Sequence, residues 1–409
     1  MKNLTKVALT IFALSVILSS CGRRESGDVT GVLDRPDWRG INPYGMVYIR
    51  PGTVHIGNSD QDITGTFIQR NKAISISGFY MDETEISNNE YRQFVQYIKD
   101  SLAILAWDPS LVDGEGNILW DEVDDIDYNS QEIKDELFLP DTYAGRVQLN
   151  TNLFEYTYKT TDMRRAARDR AGNGLNDYVE EKTVNIYPDT MVWVRDFAYS
   201  YNEPMARNYF WHPAYDDYPV VGVNWHMANA FAYWRTDYWN RYNDIPTEEF
   251  RLPTEAEYEY AARGGREHAP YPWGGPYTRN AKGCLLANFK PGRGNYPEDG
   301  GQYTVPVDAY YPNDYGLYNM AGNVAEWTSS AFFENARSFV HDMNPDVRYD
   351  AKDSDPIAMK RKVIRGGSWK DISFYLQTGT PSYEYQDTTK SYVGFRNVVS
   401  FMGRSLSDF

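Results

Sequence analysis

Apolar and polar positions change their period along this chain, and the changes predict its elements. Gly45-Met46-Val47-Tyr48-Ile49 is an apolar run that predicts a strand. Pro51-Gly52 predicts a turn, and residues 54–57 and 73–80 predict two further strands. The period then lengthens. Tyr91, Phe94, Val95 and Ile98 recur at helical spacing behind Ser87 and Glu90, the residue pair of a capping box. Residues 187–194 read as a turn plus a strand. Residues 218–225 read as a buried strand running into a helix, with Asn224 as its cap and Ala228, Phe231, Ala232 and Trp234 facing inward. Thr254, with Glu257 three residues on, opens another helix, and Gly264 ends it. From 266 onward Gly, Pro and Asn are dense, so regular structure should thin out.

The first twenty residues follow a different logic. Lys2 and Lys6 precede an apolar stretch over residues 7–18, too short to span a bilayer. Leu18-Ser19-Ser20-Cys21 then matches a bacterial lipobox, so Cys21 is expected to carry diacylglycerol and palmitate after cleavage of residues 1–20. Gly22 and Arg23 follow, with no aspartate to signal inner-membrane retention. The expected location is the periplasmic face of the outer membrane. Residues 21–43 read as a tether and residues 44–409 as one domain, with an insertion at about 101–216.

Charge and composition narrow the partners. The net charge is −16, and removing the leader takes away two lysines, which disfavours nucleic acid. Within the insertion, residues 107–142 hold twelve acids and one base, Lys134. A basic patch of Arg164, Arg165, Arg168 and Arg170 follows. This whole stretch reads as a solvated insertion with some helix, the alternative being a specific binding surface. Aromatic residues make up 15%, a content that suits interfaces. With Cys21 lipidated, Cys284 stands alone and is expected to be a small core residue. The five histidines are scattered and show no metal-ligand spacing.

A set of ordered segments carries a family resemblance. They are Asp82-Glu83-Thr84-Glu85, residues 219–225, residues 251–257, Tyr271-Pro272-Trp273-Gly274-Gly275, residues 316–327, Arg365-Gly366-Gly367-Ser368-Trp369 and Gly394-Phe395-Arg396. Together they resemble the formylglycine-generating-enzyme, or sulfatase-modifying-factor, family. The resemblance implies an α+β fold, distantly C-type-lectin-like, with much irregular chain. It also implies two copper-binding cysteines, at positions that hold Asp371 and Leu376 here. Neither side chain can form a thiolate. The resemblance further implies structural Ca2+ at Asn319, Gly322, Val324 and Glu326, and again at Asn288, Phe289, Asp299 and Gly301. All of these would offer hard oxygen ligands, from side chains or carbonyls.

Within the family, the lipobox, the acidic insertion, Ser200-Tyr201-Asn202-Glu203-Pro204-Met205, Asn288-Phe289-Lys290-Pro291 and residues 364–371 are similar to the GldK/PorK lipoproteins. That likeness implies a non-catalytic component of the type IX secretion and gliding-motility machinery. It implies self-association into a periplasmic ring with a GldN/PorN-type protein. The alternatives are a carbohydrate- or peptidoglycan-binding module and, against the missing thiols, a still-active oxidase.

Overall fold

The computed structural model describes residues 42–57, 71–114, 117–140, 147–169, 174–198, 204–292, 294–298 and 301–403. Ile41–Met402 form one compact unit. Cys21, Arg170, Asp299 and most of residues 200–205 lie outside the described residues. Among the described residues no helix is long and apolar enough to cross a membrane.

Four strands open the unit: β1 (Met46–Ile49), β2 (Gly52–Ile56), β3 (Lys72–Ile76) and β4 (Phe79–Asp82). β2 and β3 form a hairpin, while β1 pairs antiparallel with β4. Two expectations change here. Gly52 opens β2 instead of ending in a separate turn, and the strand expected over 73–80 is two strands parted at Ser77-Gly78. Gly78 lies against Tyr48 and Pro51, so close that a side chain there would press on both.

Ser87 then caps α1 (Asn88–Trp107). Its backbone N–H donates to Glu90 Oε2 at 2.7 Å, completing the predicted capping box. Tyr91, Phe94, Val95 and Ile98 are all buried, as their spacing predicts. In the insertion, α2 (Gln131–Leu137) sets Ile133 and Leu137 against Ala103 of α1. β5 (Glu155–Thr161) and β6 (Val179–Asn185) pair antiparallel along seven residues each, with α3 (Met163–Arg168) between them. This hairpin gives the largely exposed insertion a packed base. Phe154 and Ile186 at its base are fully buried in the main core, and Tyr158 stacks on Tyr233 at 4.3 Å. Part of the aromatic content is thus spent in the core, while Trp107, Trp211, Tyr277 and Tyr311 remain exposed.

Residues 192–196 form a short helix, α4 (Val192–Asp196), where a strand was expected. The Asp189 side chain accepts from the Met191 N–H at 3.0 Å and turns the chain into it. α5 (Met205–Asn208) follows. Val220, Val221 and Val223 are buried but make no regular strand. Gly222 sits at φ +77°, and its N–H donates to the Lys390 carbonyl while that of Val220 donates to Ile86, so the segment alternates partners instead of forming a ladder. Asn224 caps α6 (Trp225–Tyr242) and Thr254 caps α7 (Glu255–Arg263), which Gly264 ends at φ +58°.

Regular structure is sparse between 266 and 324, as expected, and then resumes. β7 (Ala325–Ala331), β8 (Arg361–Arg365), β9 (Ser382–Tyr385) and β10 (Val393–Gly394) make a sheet of order β10-β7-β8-β9. β11 (Val398–Ser400) joins β4 to complete a β1-β4-β11 sheet. The architecture is α+β. Its largest core lies between α1, α6, the insertion hairpin and the β7–β8 edge, around Phe94, Phe231, Trp327 and Phe395.

Candidate functional site

The sequence motifs converge on loops at the ends of β7, β8 and β10. Glu326 on β7 is fully buried and meets the equally buried Arg396 in a two-point ion pair, with Nε to Oε2 at 2.6 Å and Nη2 to Oε1 at 2.7 Å. Tyr258 Oη donates to Glu326 Oε1 at 3.1 Å. Glu85 lies beside this pair, also fully buried. Its Oε2 accepts from Asn319 Nδ2 at 3.0 Å, while its Oε1 has no hydrogen-bond partner. Burial, and then the charge of Glu326, push the Glu85 pKa up to about 8. Burial also raises Glu326, against the lowering by Arg396. The two-point pairing makes Glu326 the charged member and leaves the proton with Glu85. Two acids thus face one arginine. In the sequence Glu85 stands out only as part of the Asp82-Glu83-Thr84-Glu85 motif. An acid set directly before the apolar Ile86 was its only local signal.

The residues that the resemblance assigned to calcium fall around this cluster. Asn319 (φ +49°) donates also to the Val307 carbonyl at 2.9 Å. Gly322, at φ +88°, presses on the backbone of Asn288, where a β-carbon would lie 2.5 Å from the carbonyl oxygen. The next residue, Asn323, donates its N–H to that same oxygen at 2.8 Å. The two assigned sets therefore abut. In the second set, Asn288 Oδ1 points at Gly301 and Nδ2 donates to the Tyr303 carbonyl at 2.6 Å. Val324 and Phe289 are buried, and Asp299 lies outside the described residues.

The segment after β8 shows what surrounds Asp371 and Leu376, the two positions that the resemblance assigns to thiols. Gly367, at φ +69°, passes so close to the Tyr375 backbone that no side chain would fit. Ser368 is a fully buried turn serine whose Oγ donates to Asp371 Oδ2 at 2.6 Å. The Asp371 carbonyl accepts the Lys290 N–H at 2.9 Å. Burial raises the Asp371 pKa, opposed by Ser368. Leu376 is buried among Tyr271, Leu285, Ala287, Phe289 and Ala321. One position is a hydrogen-bonded carboxyl that closes a turn, and the other is hydrocarbon in a core. This pair offers no soft ligand and no nucleophilic sulfur.

A second ionic cluster supports the same loops from below. Glu259 on α7 accepts from Arg263 at 2.7 Å and from Arg365 at 2.7 Å, with Arg337 at 3.5 Å. Burial would raise Glu259, but Arg365, Arg263 and Arg337 together hold it below the usual carboxylate range.

Two sequence expectations fail at the surface. Cys284 is exposed, because it closes a tight turn in which the Asn280 side chain and backbone bond its N–H and carbonyl. The histidines are not all scattered. His55 and His268 stack at 5.3 Å beside Glu267, a cluster invisible in sequence because His55 and Glu267 lie 212 residues apart.

Comparison with known proteins agrees with this frame. Residues 36–401 match the model of the sulfatase-modifying factor enzyme 1-like domain. The chain is 36% identical over 186 residues to the formylglycine-generating enzyme of Mus musculus, covering 44% of each chain. It is 35% identical over 175 residues to the inactive C-alpha-formylglycine-generating enzyme 2 of Bos taurus, covering 42% of this chain and 44% of that one. The matched part spans about half the length of these curated relatives. Among solved structures, PvdO from Pseudomonas aeruginosa aligns with a TM-score of 0.49 and 15% identity, over 87% of this chain and 94% of that one. With a family model matched across nearly the whole unit, the chain belongs to the sulfatase-modifying-factor family.

Proposed function

We propose that this chain is a non-catalytic, lipid-anchored protein of the outer membrane that works by assembly within the type IX secretion and gliding-motility machinery. The observation that carries the reading is the pair Asp371 and Leu376. One is locked to Ser368 and Lys290 and the other is buried in an apolar cluster, where the family chemistry requires two thiols. The mouse and bovine relatives include one named as inactive, so loss of activity has precedent in the family. The GldK/PorK-like segments support the choice of machinery, and the lipobox at Cys21 supports the anchor.

The proposed partners are further copies of this chain, forming a ring, and a GldN/PorN-type periplasmic protein. Affinity capture of the tagged full chain from detergent-solubilised outer membranes should bring down that protein in fixed ratio. Retention on peptidoglycan with no protein partner would overturn the reading in favour of a glycan-binding module. Cys21→Ala should release the protein from the membrane fraction or block its processing. Normal membrane retention and lipid labelling of that variant would remove the anchor from the account.

Calcium has a structural place in this reading. The unpartnered Oε1 of Glu85 and the excess of buried acid over arginine fit a hard dication. Asn319 and Glu326 side chains, with the carbonyls of Gly322 and Val324, would hold it, and Glu85 adds a carboxylate beside them. Asn288, Phe289, Asp299 and Gly301 would hold the second. Such ions would organise carbonyls in loops that lack ladder hydrogen bonds.

A further inference from the structure

We propose that His55, Glu267 and His268 form a surface site for a divalent transition-metal ion of the zinc class. One ligand atom from each residue lies within 4.8 Å of the others. Imidazole nitrogens with a carboxylate oxygen are a zinc-type donor set, and three protein ligands leave one position for water or for a donor from a bound molecule. Zinc bonds of about 2.0–2.2 Å place tetrahedral donors roughly 3.4 Å apart. All three residues are exposed, so their side chains can turn toward that spacing without unpacking a core.

The scaffold on both sides is fixed. β2 alternates, so Val54 and Ile56 turn into the core and His55 faces solvent. Its five residues pair with β3, which sets the position of His55. The other two ligands sit on the loop after α7. Arg266 anchors one end of it through Asp314, at 2.6 and 3.0 Å, and through the Trp273 carbonyl at 2.9 Å. Buried Ala269 anchors the other end, its carbonyl accepting from Thr378 Oγ1 at 2.7 Å. Glu267 and His268 are exposed between these anchors. His268 holds φ +58°, a conformation that costs energy for a residue with a β-carbon. That backbone places its ring in a stack with His55, 28° from parallel. His55 Nδ1 pairs with the Glu267 carboxylate. An exposed pair of this kind contributes little by itself. The second imidazole turns it into a chelate, which joins the β2–β3 hairpin to the cap of α7.

The test uses the full lipidated chain in detergent, stripped with chelator and titrated with zinc chloride by calorimetry. Loss of groups that merely orient zinc ligands weakens binding roughly 10- to 100-fold, and loss of a ligand should cost no less. His55→Ala and His268→Ala should each weaken zinc binding at least roughly tenfold. Glu267→Gln should weaken it while leaving the metal-free melting curve unchanged. His341→Ala and Cys284→Ser, at surface groups outside the site, should leave it intact. Undiminished zinc affinity in the double variant His55→Ala/His268→Ala would overturn the proposal, as would equal loss in Cys284→Ser.

Discussion

Two buried clusters in this protein are made from the same side chains and are balanced in opposite senses. Around Glu259, three arginines gather on one fully buried carboxylate, with partly exposed Glu255 at 3.7 Å from two of them. Around Arg396, the carboxylates Glu326 and Glu85 share one arginine. The consequence shows in acidity. Glu259 is held below the usual carboxylate range by its arginines, whereas Glu85 is lifted to about 8. Burial is nearly the same in both places, so the surplus of positive or negative charge decides the outcome. An arginine-rich cluster needs its glutamate ionised. A glutamate-rich cluster must take up a proton or a cation.

The largest effect should come from unbalancing the first cluster further. Glu259→Ala leaves Arg263, Arg337 and Arg365 buried without their shared partner, and should cost about 3–5 kcal/mol in chemical denaturation. A loss below about 1 kcal/mol would mean that the arginines reach water in the native state. The same balance gives a pH sign. Glu259 contributes stability above the ordinary carboxylate pKa, and that contribution is lost as pH falls through its depressed folded value.

Calcium comes next in size. An ion that binds only the folded chain stabilises it by about 2.7 kcal/mol when free ion is a hundredfold above its dissociation constant. Chelator should therefore lower the melting temperature of the full chain, and added calcium should restore it. An unchanged melting curve, with no calcium by elemental analysis, would leave Asn319 and Asn288 as ordinary hydrogen-bonding residues.

The response on the alkaline side is the mirror image of the acid response of Glu259. In chelator, Glu85 keeps its proton in the folded state up to about pH 8, while the unfolded chain releases it near the ordinary carboxylate pKa. Stability from this group is complete below that ordinary value and is lost as pH rises through about 8. Glu85→Gln should flatten this decline. If the slope between pH 5 and 8 persists in Glu85→Gln, another group carries it.

The two clusters also explain what could be read from the sequence. The helix starts at Ser87, Asn224 and Thr254 and the stop at Gly264 were legible, because caps are local and their residue types are few. The buried stripe of α1 was legible from its period. Residues 218–223 read as a strand in the sequence because burial and strand pairing look alike in a run of valines. Their partners, Ile86 and Lys390, lie far away in sequence. The β5–β6 pairing is hidden in the sequence because its strand residues are mostly polar and few are buried, while Phe154 and Ile186 at its base are core. Glu85 and the His55–Glu267–His268 cluster were missed for one reason: only the fold brings their partners together. Asp371 and Leu376 were the opposite case. The family resemblance alone assigns thiols to these positions, so their replacement is legible in one dimension once the resemblance is seen, and the structure adds what surrounds the two side chains.

That absence is the central claim and can be measured directly. The purified full chain, supplied with copper and a sulfatase-type cysteine peptide under oxygen, should leave the cysteine unoxidised and should bind no stoichiometric Cu(I). Aldehyde formation above a no-protein control, abolished by removing copper, would contradict the account and restore the chain to the enzymes of its family.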